Sequence, residues 1–241
     1  MNLTNSFPHK KERDLIKIMQ EFYKHFCDII VEIIKGFTIS KKELKKRLVI
    51  KNPEFTNQYA KKGKSIIIVG GHYNNWEMYA QAINMYSDHL CIGIYKPLVN
   101  KFIDNKIFSA RSMYGTQLIS MKKTKGVFDN NTTQPKLIIF ASDQNPAKPK
   151  NSYWVDFLNQ ETAVLPGLEI YAKKYNWPVI FGHMNKSKRG HYEVTYSLIS
   201  NNPQETKDGE ITQKFTKKLE EDIINKPQYW LWSHRRWKHK K

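Results

Sequence analysis

His72 and Glu77, five positions apart in the segment SIIIVGGHYNNWE (65–77), are the residues of this chain with the clearest chemical use. A hydroxyl is a poor nucleophile near neutral pH. An imidazole that titrates in that range can take its proton as it attacks. A carboxylate bonded to the other ring nitrogen fixes the tautomer and stabilises the imidazolium that forms. Ser65 to Val69 is a short β-branched run that reads as a buried strand. Gly70 and Gly71 end it and let backbone approach closely. His72 then leaves the loop, and Glu77 falls about one turn into a helical pattern that starts near Asn75. The expectation is a general base at His72 with Glu77 as its partner. The bland alternative is a loop-capping histidine beside a solvated glutamate.

Such a pair needs a scaffold, and the rest of the chain reads as one. Apolar residues from Leu15 to Ile34 recur at helical spacing up to Gly36. Ser40-Lys41-Lys42-Glu43 reads as a capping box, and Asn52-Pro53 as a second helix opening. After the His72 loop the expected elements are a helix from Asn75 to Tyr86, a strand from Leu90 to Tyr95 and a helix from Val99 to Met113. Strands at Gln117–Ser120 and Lys136–Ser142 follow, then a helix over Thr162–Tyr175. Strands at Pro178–His183 and His191–Ser200 and a helix at Glu210–Asn225 complete the series. This alternation predicts an α/β fold: a single domain over 1–241, with a central, mostly parallel sheet flanked by helices. Residues 1–36 form its N-terminal amphipathic helix and 229–241 a Trp-rich basic tail. In open α/β sheets working residues collect at strand C-terminal ends. Lys96 and Asp143 share that position with His72, and Arg111 lies on an intervening helix. Each also has a plainer reading: loop punctuation, a turn aspartate and a solvated charge.

Charge narrows the partners. With 40 Lys and Arg against 22 Asp and Glu, the net charge is +18, which suits polyanions, anionic headgroups or an acidic carrier protein. Cys27 and Cys91 read as small core residues of a reducing compartment, with no metal-type spacing. The polar N-terminus shows no secretory signal, and no apolar run approaches the roughly 18 residues of a spanning helix. A nucleic-acid module would fit the charge, but zinc-finger spacing and RNP-like sequence are missing. A serine lipid hydrolase would need a Gly-x-Ser-x-Gly elbow, which is also missing. In the C-terminal stretch, Trp230, Trp232 and Trp237 lie among Arg235, Arg236 and several lysines. Two readings stay open there: a headgroup-level membrane contact, or a Trp-capped core edge followed by a frayed tail.

GGHYNNWE resembles the His-x4-Asp/Glu signature of the lysophospholipid acyltransferase superfamily. The resemblance is closest to the lipid A late acyltransferases, of lauroyl/myristoyl type, of Gram-negative bacteria. NLTNSFP, YKPLVN, ARSMYG, ASDQNP, DFLNQETAVLPGLEIYAKK and PQYWLWSHRRWK support it in the same order over nearly the whole chain. The resemblance implies a lysophospholipid/glycerol-3-phosphate acyltransferase-like fold, with His72 as general base and Glu77 its partner. It implies a fatty acyl thioester on acyl carrier protein as donor and a hydroxyl of a phosphorylated glycolipid, a lipid A precursor, as acceptor. Another lipid or lysophospholipid acceptor is the alternative. Substrate-binding residues are expected at Arg111, Lys96, Asn75, Asp143 and Gln144, the last two matching the family's Asp-Gln pair. Arg111, or backbone N–H groups of Gly70 to Asn74, would stabilise the oxyanion. No metal or organic cofactor and no nucleic-acid partner are expected. Family members usually open with an apolar anchoring helix, whereas NLTNSFP lies here at residue 2. The expected location is the cytoplasmic face of the inner membrane, held peripherally at its anionic surface.

Overall fold

β-Branched runs too short for helices form the middle of the molecule, and amphipathic stretches cover them. The computed structural model describes residues 2–130 and 132–239. It begins with α1 (Asn2–Ser6), α2 (Glu12–Gly36), α3 (Lys41–Arg47), β1 (Leu48–Ile50) and α4 (Glu54–Lys61). Next come β2 (Ile66–Gly70), α5 (Trp76–Ala82), β3 (Leu90–Tyr95), α6 (Lys101–Ser112), β4 (Gln117–Ser120), α7 (Thr124–Asp129) and β5 (Lys136–Ala141). The last part holds β6 (Tyr153–Phe157), β7 (Gln160–Val164), α8 (Gly167–Tyr175), β8 (Val179–Lys188), β9 (His191–Ser200) and α9 (Glu210–Asn225). Among the described residues the main sheet has seven strands, ordered β1-β9-β8-β2-β5-β3-β4. Only the β8–β9 pairing in it is antiparallel. The expected mostly parallel α/β sheet is therefore present.

β2 runs through the interior of this sheet, between β8 and β5. Its side chains alternate between two cores. Ile67 and Val69 pack with Phe215, Leu219 and Ile223 of α9. Ile66 and Ile68 pack with Met78 and Tyr79 of α5 and with Ile29 of α2. Each such buried side chain contributes on the order of 1.5–3 kcal/mol, so the strand that delivers the His72 loop is clamped from both faces. Ser40 caps α3 by accepting from the Glu43 N–H at 3.2 Å, one half of the expected capping box, while the Glu43 carboxylate accepts from Arg47 Nε at 2.8 Å.

Several expectations change. The stretch from Thr162 is not helical: residues up to Val164 belong to β7, which pairs with β6 in a separate antiparallel hairpin. Leu158 and Asn159 turn that hairpin with φ of 52° and 60°, the left-handed pair that suits a two-residue turn. Helix begins only at Gly167. The helix expected to run to Tyr86 ends at Ala82 and continues as a 3-10 turn over Ile83–Met85. Asn52 caps no helix; it pairs with the Tyr196 backbone, donating at 3.0 Å and accepting at 2.9 Å. Cys91 is a core residue, but Cys27 is exposed, because α2 turns that position away from the sheet. No helix among the described residues is long and apolar enough to cross a membrane.

Gly71 is where this packing is tightest beside the His72 loop. A Cβ there would meet both Leu219 methyl carbons at 2.8 Å and Asp143 Oδ2 at 3.1 Å. Gly71→Ala is expected to lower unfolding stability by about 1–3 kcal/mol, the usual cost of overpacking. Gly126→Ala, where an added Cβ meets nothing within 4 Å, should hold wild-type stability. Urea denaturation of the two variants provides the comparison.

Candidate active site

Parallel pairing sets Gly70 of β2 beside Ala141 of β5. Two residues further along each chain, the same register brings His72 to Asp143. The contact is close on two sides. Asp143 Oδ1 lies 2.6 Å from His72 Nδ1, and Asp143 Oδ2 accepts the His72 backbone N–H at 2.8 Å. The Trp230 indole N–H donates to that same Oδ2, also at 2.8 Å. A carboxylate offers only acceptors, so Nδ1 carries the proton and the lone pair of the neutral ring sits on Nε2. The Gln144 amide nitrogen is 3.3 Å from that Nε2 and donates to it.

Burial would raise the Asp143 carboxyl, but the His72 charge and the hydrogen bonds from His72 and Trp230 outweigh it. Its pKa falls to about 2. Burial alone would likewise push the imidazole down. The Asp143 charge and hydrogen bond, with a smaller push from Glu77, prevail and raise the His72 pKa above 6.5. The site is thus an ionised aspartate holding a histidine more basic than usual.

Glu77 is not the partner of that ring. It takes a bidentate grip from Arg111, at 2.6 Å to Nε and 2.6 Å to Nη2. The Trp76 indole N–H adds a third donor at 3.0 Å. Three donors on one carboxylate leave it no role at His72 Nδ1, which Asp143 already fills. The two pairs are still neighbours: the His72 ring meets the Trp76 ring edge-on at 5.1 Å, and the Glu77 and Arg111 charges both act on His72. Arg111 is thereby removed from the solvated reading, since its side chain is mostly buried against Glu77.

The remaining expected residues divide. Gln144 joins the site through His72. Asn75 is buried and structural: its side chain accepts the Met78 N–H at 2.8 Å, capping α5, and donates to Glu32 at 2.6 Å. Lys96 is exposed beyond the end of β3 and bonds none of His72, Asp143, Glu77 or Arg111. The described residues hold no cluster of three or more side chains fit to bind a metal.

The C-terminal segment had no expected place in the site, yet it completes it. Tyr73 and Trp230 form an antiparallel bridge. The Asn74 N–H donates to the Tyr229 carbonyl at 2.9 Å, and the Leu231 N–H to the His72 carbonyl at 3.1 Å. His234 Nε2 accepts the Asn145 N–H at 3.0 Å just beyond Asp143. Trp230 and Trp232 are buried, and Trp237 packs 5.9 Å from Trp230. The Trp-capped core edge is therefore the correct reading of these rings. Arg236 is buried too, with burial pushing its pKa down to about 10 against the pull of Asp143. Residues 240–241 of the expected frayed tail lie outside the described residues. Apolar tryptophans beside a catalytic-type loop were the available signal; the pairing with His72 was not readable from them.

Removing the opposing charge should reveal what holds His72 basic. In Asp143→Asn the imidazole keeps its burial and loses its main stabiliser, so its pKa is expected to drop below 6.5, from above it in the parent. An NMR titration of the His72 ring carbons measures this directly.

The family model for bacterial lipid A biosynthesis acyltransferase matches residues 1–239. No curated protein matches the chain in a sequence search. The match spans every element that builds the His72–Asp143 and Glu77–Arg111 pairs, and the chain belongs to the bacterial lipid A biosynthesis acyltransferase family.

Proposed function

We propose that the protein moves a fatty acyl chain from a thioester on acyl carrier protein to a hydroxyl of a phosphorylated lipid A precursor, with His72 as general base. The observation that carries this reading is the His72 ring itself. One nitrogen is fixed on a buried, ionised carboxylate, and the other meets, among the described residues, the amide of Gln144. Membership of a lipid A acyltransferase family supplies the class of reaction.

In the proposed step an acceptor hydroxyl displaces the Gln144 amide at His72 Nε2. The ring takes the proton as the oxygen attacks the thioester carbonyl. The tetrahedral oxyanion then collapses, the carbon–sulfur bond breaks, and the departing thiolate takes the proton back from the imidazolium. Asp143 keeps the ring oriented and balances its transient charge. The N–H groups of His72 and Asn74 are already committed, to Asp143 and to the Tyr229 carbonyl. This favours Arg111 for the oxyanion: Glu77 engages two of its nitrogens and orients it, leaving Nη1 to donate. No metal or organic cofactor enters the step. The net charge of +18 suits both an acidic carrier and an acceptor at the anionic, cytoplasmic surface of the inner membrane, with the protein held there peripherally.

Two measurements test this with acyl carrier protein loaded with fatty acids of several lengths and a lipid A precursor, products being read by mass spectrometry. His72→Ala should lose roughly 10²- to 10⁴-fold in turnover, the range for a removed general base; near-normal transfer would sink the assignment. Transfer to a lysophospholipid and not to the precursor would reassign the acceptor. The active ring is the neutral one and its pKa is raised, so kcat/KM should climb with pH through a midpoint above 6.5. A limb centred below 6.5 would contradict it.

A further inference from the structure

The start of α6 and the turn before it carry an apolar group left exposed among the described residues. Val99 is 99% exposed and Phe102 67%, with Leu98 and Ile103 each at 43%. Leu98 and Val99 precede the Asn100 cap, and Phe102 and Ile103 lie in the first turn of α6. The turn is held in this posture. Asn100 caps α6 by accepting from the N–H groups of Phe102 and Ile103 at 3.0 and 3.2 Å. Buried Asp104 accepts the Leu98 N–H at 2.8 Å. Both caps hold the backbone of this turn while its apolar side chains lie exposed.

Charge says what kind of surface should cover them. Lys96, Lys101 and Lys106 are exposed around the group. The Lys106 ammonium lies 5.7 Å over the Phe102 ring. The acidic residue of this turn, Asp104, is buried and engaged by Leu98. An apolar tip rimmed by lysines, with no exposed carboxylate of its own, fits an anionic lipid leaflet: rings and methyls enter the acyl boundary while ammonium groups stay with the headgroups. An acidic protein partner would use the lysines but gain little from an outward valine and phenylalanine. Arg111 lies nine residues beyond Phe102 on the same helix, about 14 Å at 1.5 Å per residue. A tip seated ~5–10 Å deep would leave the Glu77–Arg111 pair just above the headgroups, where a lipid hydroxyl can reach it.

We propose that the Leu98–Ile103 tip of α6 inserts into an anionic membrane leaflet and so sets the height of the active site above it. This rests on the lipid-acceptor reading given above, and its test is separable from that reading. Flotation with phosphatidylglycerol/phosphatidylcholine vesicles, and with phosphatidylcholine alone, would compare the full chain with Val99→Asp/Phe102→Asp. Val99→Ser/Phe102→Ser serves as a milder pair, and circular dichroism checks that each is folded. The parent should prefer the anionic vesicles, and the aspartate pair should lose binding by roughly 100-fold or more, from two apolar side chains no longer inserted. Its acyl transfer to detergent-dispersed precursor should match the parent. The proposal is overturned if the folded variants bind vesicles as the parent does, if the parent shows no preference for anionic lipid, or if the substitutions weaken only binding to acyl carrier protein. Lost vesicle binding in a protein whose parent transfers no acyl group would keep the surface and refute the reaction.

Discussion

Everything at this site depends on one cross-strand contact, the imidazole of His72 against the carboxylate of Asp143 at 2.6 Å. It exists because β2 and β5 are parallel neighbours in register, so that their C-terminal ends deliver both residues to one place. Parallel strands must be joined by a crossover. Here the crossover includes α5, β3, α6, β4 and α7, and α5 and α6 in passing contribute the second ion pair, Glu77 with Arg111. The topology therefore sets two oppositely composed pairs side by side: a base on an acid, and an acid on a permanent cation. Their charges act on one another, which is why Glu77 adds to the basicity of His72 while Arg111 subtracts from it.

Buried carboxylates are costly unless satisfied. Asp143 accepts from the His72 ring, the His72 backbone and the Trp230 indole, and Glu77 accepts from Arg111 twice and from Trp76. Each is held by three donors, which fixes its orientation. What remains adjustable is Gln144, whose half-buried amide meets His72 Nε2 at 3.3 Å. Rigid acids, a rigid ring and one exchangeable amide make a site whose geometry is set before any ligand arrives, the condition under which electrostatic stabilisation works best.

Much of this was legible in the chain. The strands at 90–95, 117–120 and 191–200 and the helix at 210–225 fall where their patterns place them, because each is bounded by turn or cap residues and has a single period. The expected helix starts too early, at Thr162: Pro166-Gly167 marks the real helix opening, and Thr162–Val164 belongs to a strand because β6 pairs with it. His72, Asp143, Gln144 and Arg111 are all singled out by the sequence and come close together in the fold, yet the ring of His72 pairs with Asp143 and not with the expected Glu77. Nearness in sequence favoured Glu77. Nearness in space depends on which strand lies beside β2, and that adjacency links residues 71 positions apart. The same holds for Trp230, whose role needs the fold to be known first.

The bridge from Tyr73 to Trp230 has a temporal side. Tyr73 is synthesised well before Trp230, with most of the sheet between them. A nascent chain that has emerged as far as α9 already owns β2, β5 and both acids. It lacks the bridge that pins Tyr73 and Asn74 and the indole that steadies Asp143. Such a chain carries every reactive group without the frame that aligns them, so competence for chemistry arrives only once the Tyr229–Leu231 segment has docked.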